Sequence, residues 1–512
     1  MSVPVDVPAS EALGVLSHFR VEFHECLYAR ADALFELTDA LLCTDGPVKT
    51  LVELCLAPEM RRGHGAMYAA LDKGWVQPAR LRRALASLPL PRAADGRIVL
   101  AADVTNWLRP DATCSQDRLF CHVYGRGGRG SDQLVPGWPY SFIAALESGR
   151  TSWTALLDAQ RLGPADDIAE VTATQLRDVV NRLTEARHWK SGDPPVLIVL
   201  DAGYNPARLS YLLRDLPVEV LARLRSDQVM YADAGAPRST PRGGRPRKHG
   251  ARLVLAKPED GPAPDHTTTC DTSRYGTAEA TSWDRMRQKL QTARADWADA
   301  EGELPVLHGT LIRLKVEHLP GQREAKPVWL WTSATALTAD AVDLRWQSFL
   351  RRFDLEHTFR FLKQTLGWTR PKIRHPDTAD VWTWLIIAAH TQLRLARPLT
   401  TDLRRPWERP LEPHRLTPSR VRRGFRHLRP KTAQPAGVPK PSRPGPGRPP
   451  GTPNRHPEPA PRTPPRRGQS CETSRRRHRT PHRARLNVKL RSDSQTEGRV
   501  TLSQVRCVAV AR

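Results

Sequence analysis

Two periods of hydrophobicity divide the chain. Over residues 12–90 the apolar positions recur at helical spacing: Phe23, Leu27, Ala31, Leu34 and Leu37, continued by Leu51–Leu56 and Leu81–Leu88. This predicts a helical N-terminal domain over 1–92, closed by the Pro89–Pro91 break. From Arg97 the pattern changes. Ile98–Ala102 is a continuous apolar run that ends in Asp103, and Val196–Leu200 is a second that ends in Asp201. Runs of this kind fit strands buried on both faces, hence a sheet covered by helices. Leu119–Tyr124, Tyr140–Leu146 and Val218–Leu224 read as further strands, with Gly125–Gly130 as a turn. Ala165–Trp189 and Pro206–Leu216 read as helices. Residues 97–225 therefore form the first part of an α/β core.

Residues 226–340 are rich in turn residues and read as a mostly β insertion, with strands at Arg252–Ala256, Thr310–Glu317 and Val328–Thr332. Helices over Leu344–Leu366 and Thr378–Ala396 complete the core across 341–398. A basic helical segment spans 399–430, with Thr417 as cap and Pro418 at the first helical position. From 431 to 512 Pro, Arg and Ser dominate and no period survives, so a basic, disordered tail is expected.

Charge sharpens this division. The formal net charge of +25 argues for a polyanionic partner, with nucleic acid the default. Yet residues 401–512 hold 28 Lys+Arg against 7 Asp+Glu, whereas the first 400 hold 51 against 47. The body is nearly neutral and the tail carries the charge. The apolar stretch Val381–Ala389 is too short to span a bilayer. Met1–Glu11 lacks a basic region followed by an apolar run, so no signal peptide is expected. None of the eight cysteines forms a Cys-x2-Cys pair; Cys114, Cys121 and His122 lie close together without a second ligand pair. Free thiols in a reducing cytosol are the simpler reading.

Candidate chemistry lies in the neutral body. Neighbouring strands that each end in Asp place both carboxylates at one sheet edge, where open α/β folds hold their sites. Like charges at that distance repel unless a cation lies between them, and oxygen ligands suit Mg²⁺. The alternative is that each Asp caps a strand or turn. The helix over 344–366 adds a third acid. At ~100° per residue from Phe349, Arg352 falls near ~300°, Glu356 near ~340°, Lys363 near ~320° and Arg360 near ~20°. One carboxylate thus lies in a stripe of three cations, while Leu355, Phe359, Leu362 and Leu366 form the adjoining apolar face. Asp354 points elsewhere. A salt-bridged surface helix is the plainer alternative.

Phe349-x2-Arg352-x3-Glu356-x6-Lys363 resembles the Tyr-x2-Arg-x3-Glu-x6-Lys signature of a large group of bacterial insertion-sequence transposases. Asp201-Ala202-Gly203-Tyr204 is similar to that group's second-Asp motif, and Asp103, after Ile98–Ala102, is similar to its first. The order of Asp, Asp, long β insertion and Glu matches over roughly 97–396. Phe349 departs from the usual Tyr and removes a hydroxyl, leaving the acids unaffected.

The resemblance implies a DDE-superfamily enzyme with an RNase H-like catalytic core, interrupted by the β insertion. Asp103, Asp201 and Glu356 would be catalytic and would hold two Mg²⁺ ions, with Mn²⁺ able to substitute. Arg352 and Lys363, and with them Arg360, would bind DNA phosphates near the cut. The implied activity is cut-and-paste transposition of an insertion sequence, by DNA cleavage and strand transfer. The implied partners are double-stranded DNA (inverted-repeat ends and target) and a second copy of the chain, a homodimer on paired ends. A cytoplasmic, nucleoid-associated location follows. The alternative is a catalytically silent, domesticated or degenerate DNA-binding relative.

Basic segments suggest further DNA contacts. Arg245 and Lys248 lie in Gly243–His249, and Arg448 lies in Pro446–Pro449. Both segments are similar to part of an Arg-Gly-Arg-Pro minor-groove element. Arg422 and Arg423, on the helix after Thr417, read as phosphate contacts. For these groups flexible or solvated basic surface is the alternative.

Overall fold

The computed structural model describes residues 8–123, 133–149, 151–235, 249–272, 275–291, 297, 303–319 and 325–439. The chain opens with α1 (Ala9–Glu25), a two-residue strand β1 (Leu27–Tyr28), α2 (Ala31–Cys43), α3 (Leu51–Cys55), α4 (His64–Lys73), a second short strand β2 (Trp75–Val76) and α5 (Pro78–Ser87). The helical spacing from Phe23 to Leu37 is interrupted at Leu27, which pairs antiparallel with Val76. Ala29 and Arg30 turn the chain there with φ of 36° and 69°, values no continuing helix allows.

The sheet that follows contains β3 (Val99–Leu108), β4 (Leu119–Val123), β5 (Gln133–Leu146) and β6 (Thr154–Arg161), then α6 (Ile168–Glu185), β7 (Val196–Leu200), α7 (Pro206–Leu212) and β8 (Val218–Leu224). Their order is β6-β5-β3-β7-β8, with β4 on the other half of the long β5. β3, β7 and β8 are mutually parallel; β5 runs antiparallel to β3, and β6 antiparallel to β5. Three antiparallel strands followed by two parallel ones make an RNase H-like core.

The period-two alternation of each strand assigns its two faces. Leu100, Ala102, Ile198 and Leu200 pack against Leu176, Val179 and Leu183 of α6 and Leu209 of α7. Val99, Ala101, Leu197 and Val199 face the opposite layer. Both faces are covered, which is why these strands read as unbroken apolar runs.

The insertion adds β9 (Val229–Tyr231), β10 (Arg252–Val254), β11 (His266–Thr272), β12 (Gly276–Gln288), β13 (Gly309–Val316) and β14 (Val328–Thr332). These strands do not form a separate sheet. β14 pairs with β8, so β13, β12, β9 and β10 continue the core sheet outward to twelve described strands. Trp283 is buried against Trp329, and its indole donates to Pro262 O at 2.9 Å. It is a core tryptophan.

The second layer is built by α8 (Ala339–Arg351), α9 (Phe353–Gln364), α10 (Pro376–Ala396) and α11 (Pro418–Leu428). Thr417 stands at the N-cap of α11 with Pro418 behind it, but its side chain makes no capping hydrogen bond.

The expectation of disorder from residue 431 needs correction. Residues 429–437 lie against the N-terminal helices. Arg20 donates to Ala433 O at 2.8 Å, Arg61 to Ala436 O at 3.2 Å and Arg62 to Gly437 O at 3.1 Å. Arg429 donates to Asp39 at 2.8 Å. The arginines reaching for these backbone carbonyls lie hundreds of positions earlier, where local composition does not register them. The tail beyond 439 lies outside the described residues.

Candidate active site

β3 and β7 run side by side in parallel, with Ala102 opposite Leu200. The next residue on each is an aspartate. Alternation sends Asp103 and Asp201 to the side of Val99, Ala101, Leu197 and Val199, which is the side α9 covers. The strand ends are not alike, however. β7 stops at Leu200, and the chain turns into α7, whose first amides are capped by Asn205. β3 continues to Leu108 because β5 pairs with it as far as Gly137, so Asp103 sits inside its strand rather than at the end.

The single helix expected over 344–366 is two helices meeting at Arg352. There the Arg352 amide donates to Phe349 O and the Leu355 amide to Arg352 O, both at 3.0 Å. This three-residue spacing tightens the joint relative to the α-helical ladder on either side. α9 is fixed to the sheet along its length. Thr358 meets Thr154 of β6 at 2.9 Å, Phe359 packs edge-on against Phe142 of β5, and Lys363 donates to Thr105 of β3 at 2.6 Å. Its first turn delivers Glu356 to the two aspartates.

The three carboxylates converge on one guanidinium. Arg352 Nη1 donates to Asp103 Oδ2 at 3.0 Å and Nη2 to Glu356 Oε1 at 2.8 Å, while Nη2 lies 3.8 Å from Asp201 Oδ2. The Arg352 side chain is fully buried, whereas those of Asp103, Asp201 and Glu356 keep 22%, 30% and 25% of their exposure. The guanidinium is therefore a floor, and the acids open toward solvent above it.

Burial pushes the Asp103 carboxyl up to about 6, against the pull of Arg352; the charges of Asp201 and Glu356 add to the rise. Burial likewise draws Lys363 down to about 8, although Asp103 opposes this. Asp354, on the other side of α9, is buried beside Arg351 and pushed up to about 7 by that burial. It stands apart from the three acids.

The other cations expected at DNA are placed as follows. Arg352 is consumed by the acids and cannot reach a phosphate from this position. Arg422 is also buried; it donates to Leu41 O at 2.8 Å and to Gly46 O. Arg423 forks onto Glu408 with two bonds of 2.8 Å. These arginines hold α11 to its neighbours. The α11 sequence reads as a basic stripe because the acceptors, two backbone carbonyls and a distant Glu, leave no mark in it. Lys363 lies mostly under the sheet edge beside Asp103, within reach of the site but not on open surface. Arg360 is half-exposed on α9 and forms no ion pair among the described residues. Arg245, Lys248 and Arg448 lie outside the described residues.

Sequence reasoning passed over a cationic row directly after α9. Arg370, Lys372 and Arg374 are exposed, while Pro371 and Ile373 between them are buried. Arg109, at the end of β3, donates to the Ile373 carbonyl and anchors the row. The signal was legible: Arg-Pro-Lys-Ile-Arg alternates charge and apolar residue with period two.

An all-oxygen set of three carboxylates suits a hard divalent cation. Among the described residues, no three acidic, His or Cys side chains are grouped as a metal cage. At Asp103, Asp201 and Glu356 the guanidinium lies among the oxygens such a cage would use. The donor chemistry fits a metal; the present arrangement is closed around arginine.

The RNase H-like sheet thus carries acids on two adjacent parallel strands, with a third on the covering helix. A family model described as DDE superfamily endonuclease matches residues 22–289, 268 of the 512 residues, and the chain belongs to that family. The match includes Asp103 and Asp201 and ends before Glu356. No curated protein matches the chain. Membership supports a nuclease-type function in a family that acts on DNA, and divalent metals are general to such domains. No described helix is long and apolar enough to cross a membrane.

Proposed function

We propose that the chain is a transposase that cuts DNA at the ends of an insertion sequence and joins the freed ends to a target. The observation that carries this reading is the convergence of Asp103, Asp201 and Glu356, from two strands and a helix, at one solvent-open point.

In this reading Asp103, Asp201 and Glu356 hold divalent metal, Mg²⁺ or Mn²⁺. Bound there, the metal supplies an activated oxygen nucleophile and a charge that stabilises the leaving oxygen. The protein's own part is to fix the acids. β3 and β7 set the spacing of the aspartates, and the contacts of Thr358, Phe359 and Lys363 hold α9 so that Glu356 faces them. Lys363, beside Asp103, adds positive charge where a scissile phosphate would lie. Arg360 on α9, and the exposed Arg370, Lys372 and Arg374 that follow it in the chain, suit the phosphates of the flanking duplex. Two copies acting on paired ends complete the proposal.

The test is cleavage of duplex DNA carrying the inverted repeats that flank the coding sequence, with Mg²⁺ or Mn²⁺. Asp103→Ala, Asp201→Ala and Glu356→Ala should each abolish cutting while leaving DNA binding in place. Three variants that cut like the wild type would remove the site assignment.

A further inference from the structure

We infer that Arg352 is a built-in cation that stands in for metal among the three acids, and that divalent metal and this guanidinium compete for the same carboxylate oxygens. The inference rests on the metal-binding reading of Asp103, Asp201 and Glu356, and extends it to a residue of opposite charge.

Three observations converge. First, the guanidinium occupies oxygens rather than merely lying near them: Asp103 Oδ2 at 3.0 Å and Glu356 Oε1 at 2.8 Å, with Asp201 Oδ2 at 3.8 Å. A cation coordinated by these acids would need some of the same atoms. Secondly, three carboxylates this close repel one another, and the buried Arg352 guanidinium is a positive charge that all three share. Arginine suits this position because its planar fork serves several carboxylates at once and stays charged. Thirdly, Arg352 is placed where it can yield. It stands at the joint between α8 and α9, where the hydrogen-bond ladder has already tightened to three-residue spacing.

The arrangement has a chemical rationale. In the resting protein the acids are gathered and screened, so the site neither splays nor collects stray cations. Metal held by Asp103, Asp201 and Glu356 would take over part of this ion pairing and leave the Arg352 charge for a phosphate. Arg352 is thus a positioning residue in the free enzyme.

Calorimetric titration of the full-length protein with Mn²⁺, without DNA, tests this. Arg352→Gln should bind Mn²⁺ at least about tenfold more tightly than wild type, because a competing charge is gone. Arg352→Lys, which keeps the charge but loses the fork, should fall between the two. The Asp103→Asn/Asp201→Asn/Glu356→Gln variant supplies the baseline. A merely structural arginine would give weaker metal binding on removal, not stronger. Folded Arg352→Gln with wild-type or weaker affinity overturns the inference while leaving the metal reading intact. If wild type and Arg352→Gln both stay at the baseline, the metal reading itself fails and the inference falls with it. Should Arg352→Gln lose its far-UV circular dichroism without metal, Mn²⁺ must restore the spectrum; failure to do so also overturns the inference.

Discussion

His390 lies in the middle of α10, fully buried, with Trp153 and Phe361 against its ring. Neither ring nitrogen has a hydrogen-bond partner among the described residues. Burial, reinforced by the charge of Arg394, holds its pKa down to about 3 from an ordinary value near 6.5. The sign of the consequence follows from proton counting. Between these values the unfolded chain binds a proton that the folded protein refuses, so stability is full above about pH 6.5 and drains away as pH falls toward about 3. At about pH 5 this one residue should cost the fold roughly 2 kcal/mol, and the whole shift corresponds to about 5 kcal/mol. Other groups titrate in the same range, so the informative quantity is a difference. Urea unfolding of wild type and His390→Met at about pH 7.5 and about pH 5 should show the variant losing roughly 2 kcal/mol less on acidification. Parallel pH dependences in the two proteins would refute the reasoning and imply that a partner for the imidazole exists.

Arg20 joins α1, α2, α10 and the segment at 433–434 through Asp39, Gln392, Ala433 and Gln434, all from a fully buried side chain. Arg20→Met should cost about 3–5 kcal/mol in urea unfolding, with the loss reduced when Asp39→Leu is added, since the partner then no longer carries a buried charge. Truncation after Pro439 should leave the fold intact and weaken affinity for duplex DNA, whereas truncation after Leu428 removes Arg429 from Asp39 and should lower the melting temperature as well. Lys372→Glu and Arg374→Glu should each weaken DNA binding and reduce the salt slope by about one ion. Arg422→Ala should do the reverse, lowering stability with no specific change in that slope.

The strands that carry the aspartates were legible because they are buried on both faces. Val196–Leu200 begins and ends where its apolar run does. β3 was cut short in the reading at Asp103, since a charged residue inside a strand looks like its end. What holds it there is pairing with β5, a non-local contact that composition cannot reveal. The helix joint at Arg352 was invisible for a related reason. Its residues have ordinary helical propensity, and the spacing of Arg352 and Glu356 by four survives the tightening. The helical wheel therefore put both on one face and left open what lay opposite. Whether a cation faces solvent or a carboxylate depends on the partner, and the two aspartates are more than 150 positions away in the chain.

The same blindness explains why charge was a poor map of which cations are exposed. Arginine reads as a phosphate ligand, yet Arg20, Arg345, Arg352 and Arg422 are buried, and each is bonded to buried acids, polar side chains or main-chain carbonyls. Guanidinium is weakly hydrated and offers five donors in a rigid fork, so burying it costs less than burying lysine. A chain rich in arginine can therefore use it as interior fastening. Exposure and spacing separate the two uses. The fasteners sit on faces where their neighbours are also buried. At 370–374, by contrast, the charges alternate with buried Pro371 and Ile373 and point outward. On that criterion Arg370, Lys372 and Arg374 are the exposed cations whose replacement tests DNA binding. Arg352 belongs to neither class: it is buried like a fastener, but the groups it fastens are the ones that would bind the metal.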